Sequence, residues 1–372
     1  MSDVFFQPRL TGKRFDSHTL PVELLSDFAA LEELIIELAK QKYLEAHPDR
    51  QRVPRGFSDG ISLNLATIRE GSTIPGFVLT SFLTANSLFA GSDPTLTYFE
   101  QAKETIITCV ADAASKQIVD LEPRFIAYFN RIGRNLLEDE AIEFNPSSSS
   151  NKAVLTKQTR RKILLSVDQN AEYLDNATLI ARISEMDKSK QTFTIENQTL
   201  RIAAVKIPSE HKDLIYKAFD EFELGNYIRL KGIAKFNSSS KIVMVETIEH
   251  LDILDAGDIE VRLEQISSLK SGWYNGLGTA YDKSQLDLLL SKFNVNYSNN
   301  LIIPATYPTV EGEIQLEWTT EKIDASLTIN LDSLKGEFHS VNFSDQSDSE
   351  ETFDLNDEAS WQKLNLWLLE NL

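Results

Sequence analysis

Apolar residues recur at the helical period in "PVELLSDFAALEELIIELAKQKYLEAHP", where Leu24, Phe28, Leu31, Leu34, Ile35 and Leu38 share one face. This predicts an amphipathic helix, with Pro21 suited to its first turn and Pro48 helping to close it. The period falls to two in "ISLNLATI", where Ile61, Leu63 and Leu65 mark a half-buried strand. "REGSTIPGFVL" then reads as a turn at Gly71-Ser72 followed by a second strand. Two further helices are expected about Thr97–Ile118 and Glu122–Leu137. Residues 1–144 thus read as an N-terminal α+β domain.

"NPSSSSN" breaks the pattern, and its serines and proline mark residues 145–151 as a linker or exposed loop. Beyond it, strand-like patterns near Val154–Leu165, Thr178–Met186, Thr192–Ile195 and Thr199–Val205 precede one helix. That helix, in "PSEHKDLIYKAFDEF", places Leu214, Ile215, Ala218, Phe219 and Phe222 on one face. The strands "YIRLKGIAKF" and "KIVMVETIEHLDIL" follow. Strands with a helix before the last pair predict an OB-like five-stranded β-barrel over residues 152–256, with an SH3-like barrel or an open sheet as the competing architectures.

Residues 257–372 read as a C-terminal α+β domain, an antiparallel meander with flanking helices. Its first helix is expected at Asp282–Phe293, with Asp282 and Gln285 as a capping box. The last, "NDEASWQKLNLWLLENL", has Asn356 as expected N-cap and buries Trp361, Leu364, Trp367 and Leu368. "SDQSDSEETFD" before it reads as an acidic, mobile loop. The whole chain is therefore expected to be α+β and multidomain.

Glu311, Glu313 and Glu317 raise the question of a carboxylate pair. In "EGEIQLEW", Ile314, Leu316 and Trp318 alternate with Glu313, Gln315 and Glu317, and in "IDASLTINL" the alternation continues. A hairpin with one dry and one wet face follows. Glu313 and Glu317 then lie about 13 Å apart at a rise of roughly 3.3 Å per residue. That exceeds the roughly 5–9.5 Å of a glycosidase pair, so these acids read as a solvated face or a contact surface for a partner. Glu311, before Gly312, is expected outside the strand.

Charge sharpens this reading. The net charge is −19 over 372 residues, and residues 257–372 alone carry 7 Lys and Arg against 20 Asp and Glu. Residues 1–145 have a net charge of −7, and residues 146–256 one of +1. Such ends repel a phosphate backbone and are complementary to a basic protein. No apolar run approaches the roughly 20 residues that span a bilayer. No signal peptide is expected at the N-terminus, and the single Cys109 fits a reducing cytoplasm.

No other motif carries a chemistry. The five histidines have no metal-binding spacing, "EAHPDRQR" around His47 reads as a helix end with a polar tail, and no metal or cofactor is expected. Gly71-Ser72 lacks the acids that would follow in a nucleotidyltransferase site. "GWYNGLGT" reads as a turn with Trp273 packed, a residue also offered to a partner. Cys109 sits among apolar neighbours as a core thiol. "KQTRRK" reads as the one basic cluster; on an OB groove Lys157, Arg160, Arg161 and Lys162 would follow a nucleic-acid backbone.

"GKRFDSHTLPVELL…ELAK" with "IREGS", the OB-like middle and "YPTVEGEIQLEW" together resemble a group of uncharacterised bacterial proteins. These are similar to the proteins found beside toxin or phage-defence genes, and the resemblance transfers no catalytic residue. The expectation is a non-enzymatic interaction module that neutralises or regulates a basic toxin or effector, with Glu311, Glu313, Glu317 and Trp273 at its binding surface. Its alternatives are an OB-fold nucleic-acid adaptor and an enzyme whose site is assembled from distant segments.

Overall fold

The computed structural model describes residues 4–17, 19–55, 57–58, 61–69, 73–80, 96–115, 117–147, 152–168, 171–344 and 346–372. The expected turn at Gly71-Ser72, part of the Ser-rich segment and His18 lie outside them. Both helices and antiparallel sheets are present, so the class is α+β. The chain forms two compact units: Met1–Asn176 with Ile233–Met244, and Ala177–Gly232 with Val245–Leu372. No helix is long and apolar enough to cross a membrane among the described residues.

In the first unit, helix α1 (Leu24–Ala46) buries the predicted stripe of Leu24, Phe28, Leu31, Leu34, Ile35 and Leu38. It packs against α2 (Leu96–Ala114), whose buried face includes Phe99, Ile106, Cys109 and Val110. Burial pushes the Cys109 thiol up to about 12, so it stays protonated in the core. Strands β1 (Arg9–Thr11), β4 (Ala141–Glu143) and β5 (Val154–Leu155) form a sheet in the order β1-β4-β5, and β2 (Ser62–Arg69) pairs with β3 (Ile74–Thr80).

Two expectations fail here. The helix at Glu122–Leu137 is only α3 (Pro123–Ile126) with a 3₁₀ turn to Asn130. Gly133 has a φ of 76°, and a Cβ there would meet the Leu155 side chain at 2.9 Å, so the chain turns and packs tightly where a helix would continue. Val154–Leu165 is not a strand: after the two residues of β5 it becomes α4 (Lys157–Leu165). Thr156 caps α4 by accepting from the Thr159 amide at 3.1 Å, a cap signal stronger than the apolar Val154 and Leu155 before it.

A buried polar cluster ties α1 to residues 133–135. Asp27 is almost fully buried and accepts from the Asn135 side-chain amide at 2.6 Å and its backbone amide at 3.4 Å. Burial pushes this carboxyl up to about 6, against those hydrogen bonds and nearby Arg134, which favour the charged form. Between about pH 4 and 6 the native state keeps a proton that the unfolded chain releases. Stability from this group therefore falls as pH rises through that window, by about 3 kcal/mol in all. Asp27→Asn removes the titration. The stability of the variant relative to the wild type should accordingly rise from pH 4 to pH 7 in urea unfolding, and a difference that stays constant with pH would refute the assignment.

Strands β6 (Tyr173–Asp187), β7 (Thr192–Glu196), β8 (Arg201–Lys206), β9 (Tyr227–Phe236) and β10 (Ile242–Leu254) form a five-stranded sheet ordered β10-β9-β6-β7-β8. Helix α5 (Lys212–Asp220) lies between β8 and β9 in sequence. Residues 173–176 and 233–244 of these strands belong with the first unit, the remainder with the second.

The second unit continues with α6 (Ile259–Ser267), α7 (Lys283–Asn296) and a meander. The meander strands are β11 (Ala305–Pro308), β12 (Ile314–Thr319), β13 (Ile323–Asn330), β14 (Lys335–Asn342) and β15 (Asp348–Asp354), paired antiparallel in chain order. The predicted alternation is realised: Ile314, Leu316, Trp318, Ile323, Ala325, Leu327 and Ile329 all point into one core. That core is completed by Leu289 and Phe293 of α7 and by Trp361, Leu364 and Leu368 of α8 (Glu358–Asn371).

Three details differ from the sequence reading. Asp282 caps α7 through the Ser284 amide at 2.7 Å, but Gln285 donates to Asp332 at 2.6 Å in place of closing a capping box. Asp357, not Asn356, stands at the N-cap of α8, because the Asn356 amide is held by the Ser333 carbonyl and Asp354. The acidic segment expected to be a mobile loop contains β15. One inward apolar residue anchors it, Phe353, edge-on to Phe338 at 5.8 Å, while its charges suit an outer strand that must not recruit another chain.

Candidate protein-binding surface

The meander has a buried back and a wet front, and its register decides what the front presents. Side chains directly opposite on neighbouring strands lie on the same face. One row runs Ala305, Glu317, Ser326, His339, Glu350, and the next Tyr307, Gln315, Thr328, Glu337, Thr352. A third runs Thr319, Asp324, Val341, Asp348, and a fourth Asn330, Lys335, Asp354. The front therefore carries Glu317, Asp324, Glu337, Asp348, Glu350 and Asp354 against Lys335 and His339.

Most of the residues between the acids are small or uncharged, so the carboxylates stand on a low surface. Glu317 accepts from Gln315 at 2.8 Å and Asp324 from Thr319 at 2.7 Å, neighbours that orient them without cancelling their charge. Lys363, which pairs with Glu351, does so from α8 and leaves the acids of the front alone. At roughly 4.8 Å between strands the front is about 19 Å wide, broad enough to meet a folded partner and too flat to enclose a small molecule.

Of the predicted residues, Glu317 lies on this front. Glu313 directly precedes β12, where the Asn330 amide reaches it at 3.5 Å, and Glu311 is exposed in the turn before it. Trp273 is half-buried: its indole N–H donates to the Thr279 carbonyl at 3.2 Å, and its ring covers Gly278, where a Cβ would come within 2.5 Å. It fixes a loop whose tip is a tight hairpin across Asn275-Gly276. Tyr274 and Leu277 there exchange backbone hydrogen bonds at 3.0 and 2.8 Å, and Asn275 and Gly276 both have positive φ.

That hairpin presents the apolar groups the sequence reading missed. Tyr274 is 54% and Leu277 64% exposed, and the loop is pinned to the β11–β12 turn by the Thr279 amide on the Val310 carbonyl at 3.2 Å. Tyr307, on the front itself, is 44% exposed. The "YNGL" turn signal was readable; the attachment of its loop to the β11–β12 turn depends on the 279–310 contact and was not.

The basic cluster does not form a face. On α4, Arg160 is buried; Arg161 donates to the Ser238 carbonyl at 2.6 Å and lies over the Tyr173 ring; Lys157 turns to Glu138 at 3.8 Å. Lys162 is exposed. Arg160 is out of reach of a phosphate backbone, and Lys157 and Arg161, one turn apart, are each engaged by another group.

Among the described residues, no three His, Cys, Asp or Glu side chains gather as a metal site. Comparison with protein-family models, with curated proteins and with solved structures finds no match to this chain.

Proposed function

We propose that the protein is a non-enzymatic binding module that captures a basic protein on the front of the β11–β15 meander. The observation that carries the reading is the register: six carboxylates on one flat face against one lysine and one histidine. Opposite charge steers such a partner to the face and sets its orientation, while exposed Tyr274, Leu277 and Tyr307 provide the apolar contacts that hold it. Neutralising or regulating a basic toxin or effector in a bacterial defence setting is the role that this chemistry serves.

The order β10-β9-β6-β7-β8 with a helix before β9 supports an OB-type arrangement for the middle of the chain. In this reading that part is a scaffold, since its expected phosphate-binding arginines are engaged elsewhere.

The immobilised protein should retain a basic protein from its native cells after nuclease treatment. The association rate of that pair should fall at least about tenfold between roughly 50 and 500 mM salt, as screening predicts. Tyr274→Ser with Leu277→Ser should chiefly speed dissociation. A salt-independent association rate would count against electrostatic capture.

A further inference from the structure

The first unit holds a local exception to the acidic surface. In "DRQRVPR" three arginines fall within six residues, directly after α1, and all three are exposed. Arg50 is braced, donating to the Tyr43 hydroxyl at 2.5 Å with its guanidinium over the same ring. Arg52 and Arg55 have no hydrogen bond, ion pair or ring contact with any described residue. Many of the chain's other arginines are occupied by a carboxylate or a backbone carbonyl, as Arg14, Arg131, Arg161, Arg201 and Arg229 are.

Beside this loop is a hollow of about 670 Å³ with an apolar floor of Leu44, Val53, Phe125 and Tyr128. Arg52 stands at its edge, and Arg124 lies over the Phe125 ring at 4.5 Å. The hollow also meets Glu37, Glu45 and Lys40, but Glu37 is paired with Lys40 at 2.6 Å and Glu45 with Lys42 at 3.0 Å. Glu122 pairs with Arg124 at 2.9 Å. With Asp49 set against Arg50, the local charge left uncompensated is that of Arg52 and Arg55.

We infer that this site binds a nucleoside polyphosphate, with the ring system on the floor of the hollow and the phosphates on Arg52 and on Arg55, which lines an adjoining recess together with Arg52 and Val53. The volume lies within the range of small-ligand sites, roughly 300–1,000 Å³. Guanidinium groups meet phosphate oxygens with paired hydrogen bonds, which an ammonium does not reproduce. A long nucleic acid is disfavoured because a chain of net charge −19 repels an extended polyanion, whereas a compact ligand meets only the loop.

Titration of the full chain with ATP, GTP, CTP and UTP, alongside adenosine, pyrophosphate and a labelled dT20 oligonucleotide, tests this. At least one triphosphate should bind with a Kd below about 1 mM and more tightly than adenosine or pyrophosphate. Arg52→Ser with Arg55→Ser should weaken it roughly 10–100-fold while leaving the thermal midpoint unchanged, since both side chains are exposed. Tyr128→Ser should weaken the triphosphate and leave pyrophosphate as it was. Binding by none of the four triphosphates, binding indifferent to the arginine changes, or tighter binding of dT20 through the same arginines would each overturn the assignment.

Discussion

Replacing Arg160 with methionine is expected to destabilise the first unit by about 3–5 kcal/mol, the range seen when one partner of a buried charge network is removed. Its side chain has no exposure, and all of its nitrogens are spoken for. Nε donates to the Phe129 carbonyl at 2.7 Å and Nη1 to Asp175 at 3.1 Å, while Nη2 reaches the carbonyls of Asn130 at 3.2 Å and Leu174 at 2.5 Å. Burial holds the guanidinium below its usual pKa, opposed by Asp175 and Asp27. Methionine fills much of the volume but leaves a carboxylate and three carbonyls without their donor. Arg160→Lys should recover little, because one ammonium does not reach a forked set of acceptors. Arg161→Met, which forfeits one carbonyl contact, should cost under about 1.5 kcal/mol. Urea midpoints of the three variants check the ordering; equal losses at 160 and 161 would mean that the carbonyl cage contributes little.

Trp361→Ala should cost the second unit a similar 3–5 kcal/mol, here through a cavity. The ring is 1% exposed, lies edge-on to Phe293 at 6.1 Å, and donates its indole N–H to the Leu355 carbonyl at 2.9 Å. Truncation removes a large apolar volume and orphans that carbonyl. Because α8 and α7 form the back of the meander, loosening them should also disturb the front, so partner binding should fall together with stability. Trp361→Phe, which loses the hydrogen bond but keeps most of the volume, should cost about 1–2 kcal/mol and leave binding near wild type. Loss of binding without loss of stability would place Trp361 in the interface itself.

These positions show what the sequence discloses. Helix α1 and the β12–β13 hairpin were legible because each carries a full periodic signal within itself, a dry stripe against a wet one. The front of the meander followed in part: the alternation of Glu317 with Trp318 places the glutamate on the wet side, but which acids stand beside it depends on the register of four further strands. Strand β15 was obscured because one phenylalanine among acids gives no period. Helix α4 was obscured because the apolar pair Val154 and Leu155 directly precedes its cap. Arg160 in a run of basic residues reads as solvated, and its cage consists of backbone carbonyls from residues 129, 130 and 174, which no side-chain pattern announces. Arg50, Arg52 and Arg55 were visible as letters; that two of them lack partners among the described residues is a property of the fold.

The most direct test of the acidic front compares capture from native cells by the wild-type chain and by a variant with Glu317→Lys, Glu337→Lys and Glu350→Lys, after nuclease treatment and with unfolding midpoints confirmed equal. A basic protein should be held by the wild type in near-stoichiometric amount, released at high salt, and lost by the variant. Undiminished capture of the same protein by the variant, or a wild-type chain that holds only nucleic acid before nuclease and nothing after it, would contradict this.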